Sequence, residues 1–317
     1  MGGDFRQTAN IVKGGNSLSV IEASLKNSYL WPKFTTISLT ENMRSRDQDF
    51  NKWLLEIGEG ATTDDEGKVK IPSKFIVDDI ISAVFGEKIS IENDRDIEEM
   101  TKKAILTTTN KEALKLNNEI TVKLLPGDVT EYKSIDVLVD GNEELYKQFQ
   151  TEMLNQQNVS GLPPHVLNLK KGVIIMLIRN LNIKKGLTNG TRLIIHRLHE
   201  NFLECETVTG SSKGEVTLLP RIDLLSEENS LPFRMKRRQF PIIPVFAITI
   251  NKGQGQSFDI VGLYLPTPIF SHGQLYVALS RAKNQENLKI QIINTEHQGL
   301  LDGDYYTKNI VLKQLLL

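Results

Sequence analysis

The spacing of apolar positions changes several times along these 317 residues. Phe50, Trp53, Leu54 and Ile57 recur three and four residues apart, which predicts a helix with one buried face. A helix is also expected around 17–29. A second helical stretch is expected from Ile71-Pro72, with Phe75, Ile76, Ile80 and Val84 inward, after a polar loop at 58–68 rich in Gly, Asp and Thr. Residues 34–39 read as a strand. The run Ala104-Ile105-Leu106-Thr107-Thr108-Thr109-Asn110 reads as a strand ending in a polar turn, and a helix follows over 111–120 with Ala113, Leu114, Leu116 and Asn117. Further strands are expected at 245–250, 260–265 and 288–293. Strand followed by helix is the rhythm of an α/β layer. In such sheets the working groups gather beyond the C-terminal ends of the strands. Arg44, Asn110 and the loop after Ile250 all fall at such ends.

Residues 168–240 have a different pattern. Short apolar strands at 173–177, 192–196, 203–208 and 215–219 are separated by Gly, Ser and the turn signal Asn189-Gly190. This reads as a small antiparallel barrel inserted into the α/β chain.

Candidate chemistry gathers in four strings. The stretch AITINKGQGQS (247–257) runs from apolar β-formers into Lys252, Gly253, Gln254, Gly255, Gln256 and Ser257. Such a loop presents backbone N–H groups and short polar side chains to an anion, and phosphate suits it best, although an ordinary surface turn explains the same residues about as well. It is not a Walker A loop, because no G-x-x-x-x-G-K-[ST] string occurs in the chain. Downstream, SHGQLYVALSRA (271–282) places Leu275, Val277, Ala278 and Leu279 on a packed helix, with Arg281 at its end. The other two strings are GGDFRQ (2–7) and LTENMRS (39–45).

In this order the four strings resemble the third, fourth, fifth and sixth motifs of superfamily-one DNA helicases of the petite-integration-frequency (PIF-type) branch, which includes the helicase parts of Helitron transposons. KRRQFP (236–241), LKKGV (169–173) and NL (180–181) followed by GLTNGT (186–191) extend the similarity over nearly the whole chain. The fifth string departs from the commoner NKSQGQT at Gly253 and Ser257, and neither change removes a donor the backbone could not supply. The resemblance implies a second RecA-like helicase lobe, a mostly parallel sheet with flanking helices, carrying an inserted small SH3-like β-barrel. The expected boundaries are 1–32 for a remnant of the first RecA-like lobe, 33–167 with 241–317 for the second lobe, and 168–240 for the barrel. Arg44 and Arg281 are expected to project onto ATP held by the first lobe, where a guanidinium fork neutralises charge on the transferring phosphoryl group. Gln7 matches the residue that senses the γ-phosphate, and Gly255 and Gln256 complete the nucleotide set. Lys252, Gln254, Ser257 and Asn110 are expected to track single-stranded DNA, with Arg237 and Arg238 of the densest positive cluster, and with weaker contributions from Thr107, Thr108 and His196.

The lobe that carries the Walker A Lys, the Mg²⁺-binding Asp and the catalytic Glu lies ahead of GGDFRQ in the family. The expectation is therefore that ATP and Mg²⁺ serve the complete enzyme, that this chain alone binds neither tightly, and that a first lobe is needed in cis or in trans. The segment around Gln7 is expected to be poorly anchored without it. Two alternatives stay open: a non-catalytic single-stranded-DNA-binding module, and a decayed transposon-derived remnant.

Composition narrows the class. Hydrophobic residues make up 39% and charged residues 24%, neither disordered nor membrane-like. No apolar run approaches the roughly 20 residues of a spanning helix, and no signal segment opens the sequence. A net charge of −1 excludes a strongly basic nucleic-acid binder, so DNA contact must come from a local patch. The one cysteine, Cys205, rules out internal disulfides and fits a reducing, intracellular compartment, nuclear or mitochondrial for this family. His196 and His199 lack ligand-spaced partners, so no metal site is expected.

Overall fold

The computed structural model describes residues 2–7, 15–37, 39, 45–139, 150–159, 161–210, 212–227 and 231–316. The chain divides into two compact units: Met1–Gly86 with Lys102–Ala113 and Ala247–Leu317, and Glu87–Thr101 with Leu114–Phe246. One boundary falls inside the helix Asn110–Lys123. The second unit thus runs beyond 168–240 on both sides.

The first unit is built on a four-stranded sheet in the order Ala247–Thr249, Lys103–Thr107, Ile260–Leu265, Leu288–Ile292. Every neighbouring pair is parallel. These strands are near-continuous apolar runs, as expected for strands covered on both faces; Ala104, Ile105, Leu106, Val261, Leu263 and Leu265 are all inaccessible to solvent. The helix Ile80–Phe85, capped by Asp79, packs across the sheet. Gly262 permits this approach, since a Cβ there would lie 2.8 Å from a Val84 methyl carbon. The helix Gln48–Glu59 begins where Asp47 accepts the Phe50 N–H at 3.0 Å and ends at Gly60 in the left-handed region. A three-stranded antiparallel sheet of Lys68–Ile71, Asp304–Lys308 and Gly299–Leu301 completes this unit.

The second unit is antiparallel throughout. Its largest sheet has the order Ile242–Pro244, Ile174–Leu177, Arg192–Leu198, Phe202–Thr207, Val216–Pro220. A three-stranded sheet joins Ile222–Leu225, Met235–Gln239 and Ile135–Leu138, and Thr130–Lys133 pairs with Val166–Leu169. Leu138, Leu154, Leu162, Leu224 and Met235 form an apolar core beneath the three-stranded sheet. Buried Lys170 closes the end of the helix Asn110–Lys123 on this side, donating to the Val122 and Leu125 carbonyls at 2.9 and 2.8 Å.

Three local expectations change. The stretch from Ile71 is a strand end, a 3₁₀ turn at Ser73–Phe75 and then the helix Ile80–Phe85, because alternating Val69 and Ile71 already satisfy a sheet and Pro72 stops it. The expected helix at 17–29 ends at Glu22 and gives way to the 3₁₀ turn Leu25–Asn27, capped by Ser24. Residues 34–37 are irregular, not a strand. Among the described residues no helix is long and apolar enough to cross a membrane.

Candidate nucleotide- and DNA-facing site

Parallel strands send their loops off one edge. Because Thr249 pairs with Thr107, the loops after Ala247–Thr249 and Lys103–Thr107 leave the sheet side by side. The Thr108 hydroxyl lies 3.3 Å from that of Thr267, which ties the loop after Lys103–Thr107 to the one after Ile260–Leu265. Asn110 opens its helix in an exposed position. Thr107 is buried and turned away from solvent.

The Gly- and Gln-rich loop begins as one 3₁₀ turn, Ile250–Gly253. Ile250 and Gly253 are buried and anchor it, leaving Lys252, Gln254, Gly255 and Ser257 exposed. The Gln256 side chain folds back to donate to the Lys252 carbonyl at 3.0 Å. Desolvation lowers the Lys252 pKa even though the residue is open to solvent. Its exposure governs what it can reach, so Lys252 presents a cation at the loop surface.

The short helix Gln274–Leu279 buries Leu275, Val277, Ala278 and Leu279 and delivers Arg281 into the interior. Arg281 is inaccessible to solvent. Its Nε donates to the Val277 carbonyl at 2.9 Å and its Nη1 to the Gln256 carbonyl at 3.1 Å. Its Nη2 donates to Ser280 Oγ at 2.8 Å and to Gln7 Oε1 at 3.2 Å. A guanidinium does not shed its proton at ordinary pH, so these charge-assisted bonds are what offset its burial.

Gln7 ends the 3₁₀ turn Phe5–Gln7. Its Nε2 donates to Asp4 Oδ2 at 2.9 Å, and its carbonyl accepts from Gln254 Nε2 at 2.6 Å. Arg6 reaches Glu59 at 2.5 Å. Burial works against the Arg6 charge, but the Glu59 hydrogen bond and the Asp4 and Glu59 carboxylates leave its pKa raised. Burial first, and then Asp4, raise the Tyr276 phenol. The turn is held at further points. Phe5 packs edge-on against Trp31 at 5.5 Å, Lys26 Nζ sits 4.6 Å from its ring, and the Phe5 carbonyl meets His272 Nε2 at 3.1 Å. The expected poorly anchored segment is therefore corrected: residues 4–7 are tied to four separate parts of the first unit, 26–31, Glu59, Gln254 and 272–281.

The structure brings together Gln7, Gln254, Gln256 and Arg281. Arg44 lies outside the described residues. Arg237 requires a correction, because it faces no solvent from which DNA could approach. It is inaccessible, with Nε and Nη2 forked onto Asp136 at 2.8 and 2.6 Å. Its remaining donors reach the carbonyls of Pro163, Gln157 and Leu154 at 2.9, 3.2 and 3.1 Å. The reason is strand alternation: Met235, Arg237 and Gln239 point inward, whereas Lys236 and Arg238 point outward. Exposed Arg238 keeps its place as a surface cation, 3.9 Å from the Asp223 carboxylate that Lys236 shares at 3.1 Å. His196 bonds Glu206 at 2.8 Å, a partner the sequence did not suggest. Reading the sequence also passes over Asp4, which holds Arg6 and Gln7, and His272, whose partners Phe5 and Leu312 lie far from it along the chain.

Comparisons with known proteins bear on this arrangement. The model of PIF1-like helicases matches residues 1–68, which contain Gln7, and that of the 2B domain of the DNA helicase Pif1 matches residues 152–198 in the second unit. The ATP-dependent DNA helicase PIF1 of Xenopus laevis is 29% identical over 259 residues, 80% of this chain and 35% of that protein. The chain is thus similar to PIF1-like helicases in both units. Among solved structures, the Pif1 helicase of Candida albicans aligns with a TM-score of 0.58 at 23% identity, over 85% of this chain and 60% of that one. The Bacteroides Pif1 helicase in complex with ADP-AlF3 and ssDNA aligns with a TM-score of 0.53 at 22% identity, over 82% of this chain and 52% of that one. These likenesses show the fold, a RecA-like parallel sheet with a separate antiparallel unit. The chain spans about a third of the length of the curated relative it matches.

Proposed function

We propose that this chain forms the second RecA-like lobe of an ATP-dependent DNA helicase that unwinds in the 5′-to-3′ direction. In that role Gln7, Arg44, Gly255, Gln256 and Arg281 face a nucleotide held by a first lobe. Asn110, Lys252, Gln254, Ser257 and Arg238 lie along single-stranded DNA. The observation that carries the reading is the meeting of three separated motifs on one residue: Gln7 accepts from Arg281 through its side chain and from Gln254 through its main chain.

The chemistry follows from those bonds. A phosphoryl oxygen approaching Arg281 competes with Gln7 Oε1 for the same guanidinium edge, and an anion is the stronger acceptor. Losing that bond frees Gln7 Oε1 while Nε2 stays on Asp4, and the Gln254 bond to the Gln7 carbonyl links the same turn to the loop that holds Lys252. A Lys ammonium beside backbone donors suits a DNA phosphate, which positions a strand without reading its sequence. Among the described residues no three His, Cys, Asp or Glu side chains come together as a metal-binding group. In this reading the first lobe supplies the ion and the phosphate loop. The Bacteroides structure with ADP-AlF3 and ssDNA supports both ligands for the family.

The test joins this chain to the first lobe of a PIF1 relative and measures ATP turnover with and without oligo-dT. DNA-stimulated turnover that Arg281→Ala abolishes is expected, with none from the chain alone. A joined protein whose turnover is indifferent to Arg281→Ala and to Gln7→Ala refutes the reading.

A further inference from the structure

We infer that His272 is a positioning residue, which with Gly273 clamps the turn 4–7 so that Gln7 stands against Arg281. The inference rests on the helicase reading above for its purpose, though not for its geometry.

His272 is buried, at 4% exposure, and both ring nitrogens are committed. Nδ1 lies 3.0 Å from the Leu312 N–H, which can only donate. Nδ1 must therefore be an unprotonated acceptor, and Nε2 carries the hydrogen that it donates to the Phe5 carbonyl at 3.1 Å. One neutral tautomer satisfies both partners; the other tautomer and the imidazolium each place two donors face to face at Leu312.

Gly273 repeats the arrangement with its backbone. Its N–H donates to the Ile310 carbonyl at 3.0 Å. It sits at φ 67°, and a Cβ there would lie 1.9 Å from the Arg6 carbonyl oxygen. No side chain fits without pushing the turn away. His272 and Gly273 thus grip 310–312 on one side and 5–6 on the other. The next residue of that turn is Gln7, which Asp4 and Gln254 then orient. Neither His272 nor Gly273 touches a group that would meet nucleotide, so their effect on chemistry is exerted through Gln7.

The test uses the chain itself. Ring ¹⁵N spectra of the wild type are expected to show His272, identified by the signal missing in His272→Gln, with an unprotonated Nδ1 at neutral pH. An Nδ1–H tautomer or an imidazolium overturns the proposal. The side-chain amide of Gln7, identified by its loss in Gln7→Ala, is then followed in two variants. Gln at 272 keeps a donor at the position of Nε2, whereas Asn keeps only an acceptor near Nδ1. The Gln7 resonance is expected to hold its place in His272→Gln and to shift toward a free amide in His272→Asn, as in Gly273→Ala. A general loss of packing would move it in both His272 variants alike. Equal shifts, or none in either, overturn the clamp. Turnover in the joined protein is read separately: normal clamp spectra with Arg281-independent turnover would sink the helicase reading and leave the clamp standing.

Discussion

Replacing Asp136 by Asn removes one charge and almost no volume, and it isolates what Arg237 is doing. The pair is wholly desolvated, with both side chains at 0% exposure and their closest atoms 2.6 Å apart. The Ser134 hydroxyl gives Asp136 Oδ1 a further bond at 2.8 Å. Removing one partner of a buried ion pair leaves the other charge uncompensated, which costs about 3–5 kcal/mol. At about 2–4 °C per kcal/mol for a unit of this size, the melting temperature should fall by about 6–20 °C. The double replacement of Asp136 and Arg237 by apolar residues should recover only part of this, because the carbonyls of Pro163, Gln157 and Leu154 lose their donors. Far-UV dichroism and hydrogen exchange over 130–139 and 235–239 are the assays. The two tryptophans, Trp31 and Trp53, both lie in the first unit, so their fluorescence serves as the internal control. Asp136→Asn with wild-type exchange in those segments would refute the structural role. So would an Arg237→Gln chain of unchanged stability whose affinity for oligo-dT drops.

Lys252→Ala should weaken oligo-dT binding at low salt and reduce the slope of log affinity against log salt by about one, measured by anisotropy; Arg238→Ala should do the same, and Arg237→Gln should not. Burial pushes the Cys205 thiol up to about 12, so alkylation by iodoacetamide at pH 8 should proceed only as fast as the protein unfolds, and rapid labelling of the native chain would contradict its placement. The unfolded thiol ionises near about 8.5. The folded state therefore binds the extra proton, and Cys205 should make stability fall as pH rises from there toward about 12, the opposite sign to a depressed carboxylate, testable by urea titrations across that range. Gly262→Val should overpack the Ile80–Phe85 helix against its sheet and cost about 1–3 kcal/mol, seen in the tryptophan transition.

Much of the first unit was legible because its periods are clean. Phe50, Trp53, Leu54 and Ile57 mark the helix Gln48–Glu59, and the strand Ile260–Leu265 has the bounds its apolar run suggests. The miss at Ile71 came from mixing two periods, alternation up to Pro72 and helical spacing after Asp79. In the site, Gln7 and Arg281 stood out through their motif contexts, but the bond between them closes a separation of 274 residues that no local pattern encodes. Arg237 was misjudged for the same reason: alternation along Met235–Gln239 hints at an inward position, yet what makes it tolerable, Asp136, lies 101 residues away. His272 could have been suspected from the Gly that follows it, since a histidine joined to a glycine at the start of a packed helix invites a close backbone approach.

The pairing of Ala247 with Ile105 also sets an order of events during synthesis. The central strand Lys103–Thr107 leaves the ribosome early, but its neighbours Ala247–Thr249 and Ile260–Leu265 arrive only after the whole of 114–246 has been made. The antiparallel unit can close on itself meanwhile, since all its strands lie within 130–244, whereas the parallel sheet must wait for partners made later. For that interval Ile105 and Leu106, inaccessible in the finished protein, stand as an unpaired apolar strand. Nascent chains arrested before residue 247 should be the species most in need of a chaperone.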